Sequence, residues 1–200
     1  RVRFTQAHEL GHYILHRHLR ESFQCSDADM LNWSEDDKNI EGQADLFASY
    51  LLMPLDDYRR QVTTTVDLDL LGHCADRYGV SLTAATLKWL QYTDEKAVLV
   101  MSNDGFINWA WSSKPAAKVG AFFRTRNNVI PVPDGALASD PEVRNDRKGT
   151  QIPASVWFAH AEADMPLREM KIHAEQYDAV LSLLLLPRSA NVWPPWALED

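Results

Sequence analysis

Two hundred residues, 46% of them hydrophobic and 24% charged, are enough for one large globular domain or two small ones. A formal charge of −8 argues against a dominant phosphate-binding surface, which needs clustered Lys and Arg, so direct nucleic-acid binding is not expected. No run approaches the ~18 to 20 apolar residues that cross a bilayer, and the two cysteines, Cys25 and Cys74, lack CxxC spacing, so neither a disulfide framework nor a thiolate metal site is suggested and a reducing cytoplasm fits best.

The chain opens at Arg1 without methionine or a basic-then-apolar leader, and native residues are expected upstream. Residues 5 to 20 read as a helix, with Thr5 as N-cap and Ala7, Leu10, Ile14 and Leu15 as its apolar stripe. ESFQCSDADMLNWSEDDKN, residues 21 to 39, breaks the pattern and reads as a polar loop whose Asp36 and Asp37 favour the next helix start. Its acidic run from Ser34 to Asp37 is read as solvated rather than as a patch for a basic substrate segment. A second helix is expected over 39 to 53, burying Ala44, Phe47, Ala48, Leu51 and Leu52 until Pro54 stops it. Shorter helices follow at 55 to 62, 67 to 78 and 82 to 92, where Gly79 ends one and Ser81 caps the next. The pair from 67 to 92 has a helix-turn-helix look, but Arg77 and Lys88 are almost its only positive charges, so it reads as packing.

At Lys96 the character changes. AVLVMS, Asn103-Asp104-Gly105 and FINWAWSS form a strong hairpin signal. Pro and Gly recur from 115 to 153, and apolar runs at 154 to 159, 167 to 174 and 179 to 186 read as strands; LLLLP at 183 to 187 is a buried strand. Trp109, Trp111 and Trp157 are expected in the core of this half, with Trp193-Pro194-Pro195-Trp196 as a packing tail or a groove cover. The expected fold class is α+β: a helical domain over residues 1–95, then a β-rich module over 96–200, without repeats or low-complexity segments.

The chemistry concentrates in FTQAHELGHYILHRH, residues 4 to 18. Residues four apart on a helix lie about 40° around the axis and about 6 Å along it, so His8 and His12 can share a cation. Glu9 projects to the adjacent side, where a carboxylate can take a proton from water activated by that cation. His16 lies about 12 Å along the axis from His8, beyond one ion's reach, and reads as structural; His18 reads as solvated. A catalytic zinc site takes three protein ligands and keeps one position open, whereas a structural one closes with a further Cys or His. Glu41 on the second helix can supply the third ligand, with Ala44 and Ala48 allowing close helix approach; alone it would read as a helix-start carboxylate. Asp45, one turn on, either accepts a hydrogen bond from the outer nitrogen of His8 or His12 or lies solvated. For an oxyanion donor, His73, His160, His173 and Tyr50 are chemically able, and nothing in their spacing selects one.

FTQAHELGHYILH followed by IEGQADLFASYLLMP resembles the ImmA/IrrE family of metallo-endopeptidases, closely over residues 3 to 54, less specifically to 92 and loosely beyond. The resemblance implies a zincin-like helical domain with a gluzincin-like site: His8, His12 and Glu41 as metal ligands and Glu9 as catalytic carboxylate. It implies Zn2+ as cofactor, with Mn2+ as the alternative because a His-His-Glu set accepts several divalent ions. It also implies a bacterial or phage setting and a protein substrate, a helix-turn-helix transcriptional repressor. Asp45 departs from the family, which commonly has asparagine there. The rival expectation is a non-catalytic metal-binding sensor or protein-interaction module. Oligomeric state is not legible in the residues.

Overall fold

The computed structural model describes residues 2–17, 40–62, 65–175 and 178–194. The expected loop at 21 to 39 with its acidic run, together with Cys25, His18 and the Pro195-Trp196 pair, lies outside the described residues. The chain is α+β, helices first and an antiparallel sheet after. Its contacts divide it into two compact units: Arg1–Val66 with Leu70–Lys88, and Asp67–Asp69 with Trp89–Asp200.

In the first unit α1 spans Val2–His16 and α2 Ile40–Leu52. Thr5 is therefore inside α1 rather than its cap, and the helix stops at His16, with Arg17 in a turn. The buried face of α1 is also not the expected one. Ala7, His8, Gly11, His12 and His16 are buried, while Leu10, Ile14 and Leu15 are 41%, 48% and 45% exposed. The reason is the approach of α2 over Gly11, where an added Cβ would lie 3.1 Å from Ala44 Cα and 3.2 Å from its carbonyl oxygen. Only a face of small side chains admits a backbone so close. Correspondingly α2 buries Ala44, Asp45, Ala48 and Ser49, and Leu51, expected inside, is exposed.

After Pro54 come α3 (Leu55–Gln61), α4 (Leu68–Tyr78) and α5 (Leu82–Tyr92). Gly79, at φ +63°, turns the chain between the last two, and Val80 N–H closes the end of α4 on the Ala75 carbonyl at 3.0 Å. Ser81 Oγ accepts from Ala84 N–H at 3.0 Å, the N-cap expected of it. The buried Tyr58 ties α3 to α5, donating to the Ala85 carbonyl at 2.6 Å.

In the second unit β1 (Lys96–Asn103) and β2 (Phe106–Ser112) form the expected hairpin, with Asp104 and Gly105 at φ 49° and 78°. Positive φ at both central residues matches the strand twist, which is why Asp-Gly serves there. The short α6 (Lys114–Lys118) starts at Ser113, and β3 (Ile130–Pro131), β4 (Asn145–Pro153), β5 (Pro166–Ala174) and β6 (Ala179–Leu186) complete the sheet. Strand order is β3-β2-β1-β6-β5-β4, and the register of the central pair sets Val98 opposite Leu184 and Val100 opposite Ser182. Val98, Val100, Ile107, Trp157, Phe158, Leu167, Leu184 and Leu186 share one core; burying each large side chain is worth roughly 1.5–3 kcal/mol.

Two expectations fail here. Residues 154 to 159 are not a strand: Ala154–Val156 is a single 3-10 turn, which lets the consecutive Trp157 and Phe158 both enter the core, as alternating strand faces do not. The strand lies just before it, in the polar NDRKGTQIP of β4. This is an edge strand paired only with β5 in the sheet order and interrupted by a bulge, with Gly149 at φ +87°. Charge and a bulge suit an unpaired edge and conceal it from a search for apolar runs. Trp157 is in the core, but Trp109 and Trp111 are only half-buried on β2. Trp193 packs its indole against Gly120 and donates Nε1–H to the Lys118 carbonyl at 2.9 Å.

Candidate metal centre

Four-residue spacing puts His8, His12 and His16 on one side of α1, and the close approach at Gly11 turns that side toward α2. There three atoms converge. His8 Nε2 and His12 Nε2 are 3.0 Å apart, and each lies 3.2 Å from Glu41 Oε2. A tetrahedral ion with bonds of about 2.0–2.1 Å holds neighbouring donor atoms about 3.3–3.4 Å apart. The set is therefore near the span of one such cation, and its chemistry, two imidazoles and a carboxylate, suits a divalent metal. His8 and His12 are buried and Glu41 is partly open to solvent.

Asp45 is fully buried and sits behind His8: its Oδ1 accepts from His8 Nδ1–H at 2.8 Å. Of the two histidines open to it by spacing it takes His8, and the bond leaves His8 Nε2 as the bare lone pair. Asp45 Oδ2 has no hydrogen-bond partner among the described residues. Burial pushes the Asp45 carboxyl above its usual range, against the pull of the His8 hydrogen bond. Burial works to lower His8, but the Asp45 hydrogen bond and charge, helped by Glu41 and Glu9, hold it above the ordinary histidine value. His12 goes the other way: burial, with the neighbouring His8 and His16, outweighs Glu41 and keeps it low.

Glu9 follows His8 on α1 with its side chain exposed, and its charge reaches His8. His16 is not at the three-atom cluster; its ring lies behind His12, 2% exposed, with Nδ1 3.2 Å from His12 Nδ1 and Nε2 3.0 Å from Gln43 Oε1. Neither contact was anticipated. The third histidine at i+4 was a visible signal, but Gln43 carries none until α2 is placed. Of the oxyanion candidates, Tyr50 is exposed on α2 beneath the Lys88 amine, 3.6 Å from its ring centroid, and His73 is exposed on α4. His160 and His173 belong to the second unit. Lys88 itself is fully buried without a hydrogen-bond partner among the described residues, and that burial lowers its amine to about 8.

Residues 1–90 match the model of the Peptidase_M78 family, described as the IrrE N-terminal-like domain. No curated protein gives a significant match to the chain.

Proposed function

From the match of residues 1–90 to the IrrE N-terminal-like domain, we propose that the chain is a zinc-dependent endopeptidase whose substrate is a protein, a helix-turn-helix transcriptional repressor. The observation that carries the reading is the convergence of His8 Nε2, His12 Nε2 and Glu41 Oε2 within 3.2 Å of one another, with an exposed carboxylate one residue from His8.

His8, His12 and Glu41 would hold the cation, Zn2+ or alternatively Mn2+, and Asp45 would orient His8 through its outer nitrogen. The chemistry a divalent cation supplies there is Lewis acidity, which makes water a nucleophile near neutral pH and polarises a carbonyl. Glu9 acts on the proton. Its exposed carboxylate accepts the proton from the attacking water and hands it to the nitrogen of the leaving amine, so one group serves as base and then as acid. Burial of both histidines and Asp45 keeps water from competing for the donor atoms.

The repressor and the bacterial or phage setting come from kinship, and the cytoplasmic location from the cysteine usage. No helix among the described residues is long and apolar enough to cross a membrane. In this reading residues 1–95 form the peptidase domain and 96–200 a substrate-recognition or regulatory module. The rival, a metal-binding sensor or protein-interaction module, uses the same donor atoms without need of Glu9. Metal content and cleavage of candidate repressors from the chain's own operon, measured for the natural protein and for Glu9→Gln, separate the two. Metal bound with cleavage lost in Glu9→Gln supports the peptidase; equal cleavage by both, or no cleavage by the natural protein, sinks it.

A further inference from the structure

The two ligand histidines are backed by different devices. Behind His8 stands a carboxylate, which can only accept while ionised, so His8 Nδ1 carries the proton. Behind His12 stands another imidazole, and two neutral imidazoles facing each other through Nδ1 at 3.2 Å leave the direction of the bond open. That direction matters. If His12 donated from Nε2 instead, the nitrogen facing His8 and Glu41 would carry a proton and bind no metal.

The next residue in the chain of contacts settles it. His16 Nε2 lies 3.0 Å from the side-chain oxygen of Gln43, which has no proton to give. The proton of a neutral His16 ring is therefore on Nε2, its Nδ1 is a bare acceptor, and His12 must donate from Nδ1. We propose that Gln43 and His16 form a hydrogen-bond relay that fixes His12 as its Nδ1–H tautomer, leaving the Nε2 lone pair for the cation. His16 is thus a positioning residue acting through His12. It comes from α1 and Gln43 from α2, so docking of the two helices and preparation of the ligand are one event. The relay rests on the metal-site reading above, and extends it to two residues outside the ligand set.

The test compares His16→Leu with His16→Asn in the full chain. Leucine fills the buried space but accepts nothing; asparagine is smaller, and its Oδ1 sits where the histidine Nδ1 was. A packing role ranks leucine above asparagine, and the relay ranks asparagine above leucine. Two readouts are taken at a pH where the rings are neutral: 15N NMR of the imidazoles in metal-free protein, and Zn2+ affinity by competition with a chelator. The relay requires the Nδ1–H tautomer at His12 in the natural protein, lost in His16→Leu and kept in His16→Asn. It also requires Zn2+ binding weakened about 10- to 100-fold by leucine, with asparagine regaining most of it. Should His16→Leu not fold, Gln43→Leu, at a half-buried position, is read the same way. An Nε2–H tautomer at His12 in the natural protein, or a leucine variant that matches it in tautomer and affinity, overturns the relay. Failure of the natural protein to bind Zn2+ overturns the metal-site reading instead, and the metal-free 15N spectrum still decides the relay.

Discussion

The two units bury charge in opposite ways. In the sheet unit Glu169 is fully buried, yet its oxygens accept from Leu137 N–H at 3.0 Å, Ala138 N–H at 2.7 Å and the Trp157 indole N–H at 2.8 Å. Lys171, also buried, donates to the Asp140 carbonyl at 2.6 Å. Donors meet acceptors, and the cluster fastens the 137–140 segment to β5. In the helical unit, two imidazole nitrogens and a carboxylate oxygen converge at His8, His12 and Glu41, and among the described residues Asp45 Oδ2 has no hydrogen-bond partner and Lys88 has the Tyr50 ring in place of one. Buried polar groups are normally paired because an unpaired one costs about 1–3 kcal/mol. A buried set that is satisfied marks structure; a buried set of converging acceptors marks a place for something positive.

The largest expected effect tests the second half of that contrast. Glu9→Gln should lower cleavage of the proposed protein substrate by roughly 10²- to 10⁴-fold while metal content, measured by atomic absorption, stays at the level of the natural protein. Loss of metal together with activity would make Glu9 part of the binding set instead.

Lys88→Met comes next. An amine held near 8 when folded, against 10.5 in the open chain, binds its proton less well in the folded state. The folded protein is therefore penalised fully below pH 8, and the penalty fades as pH rises from about 8 towards 10.5. The methionine variant should be more stable at pH 7 by up to about 3 kcal/mol, with the gain shrinking over that window in urea titrations. A variant that is less stable at pH 7 would mean that the amine is well paired.

Zinc itself should stabilise the folded chain, by about 2.7 kcal/mol when free Zn2+ stands at a hundred times its dissociation constant. Thermal unfolding with and without EDTA reads this shift. Glu41→Gln should remove most of it, since one of the three converging donors is lost; an undiminished shift would place the ion elsewhere.

Glu169→Gln should cost about 1–3 kcal/mol, because an amide NH2 would face N–H donors that the carboxylate now accepts from. Zn2+ affinity should be untouched. If it falls, the satisfied cluster is not merely structural and the contrast between the units breaks down.

Much of the architecture was legible where local rules act alone. Asp104-Gly105 demands positive φ whatever surrounds it, Ser81 caps from its own side chain, and Pro54 ends α2 by lacking a donor. The edge strand β4 was not legible, because solvent on its open side relaxes the demand for alternating apolar residues. The buried face of α1 misled in an instructive way. Counting Leu10, Ile14 and Leu15 assumes that apolar area decides which side turns inward, but the packing is decided by how closely α2 can come. Only the side holding Ala7 and Gly11 admits it, and that carries the histidines inside.

By itself the sequence determined the reactive vocabulary: two histidines a helical turn apart, a carboxylate between them, and a second helix of small residues opening on Glu41. Those follow from helix periodicity, which is local. Which nitrogen of each histidine is bare, that Asp45 chose His8, and that His16 leans on Gln43 were decided only in the folded chain. A tautomer depends on what stands behind the ring, and here those neighbours are contributed across the α1–α2 packing.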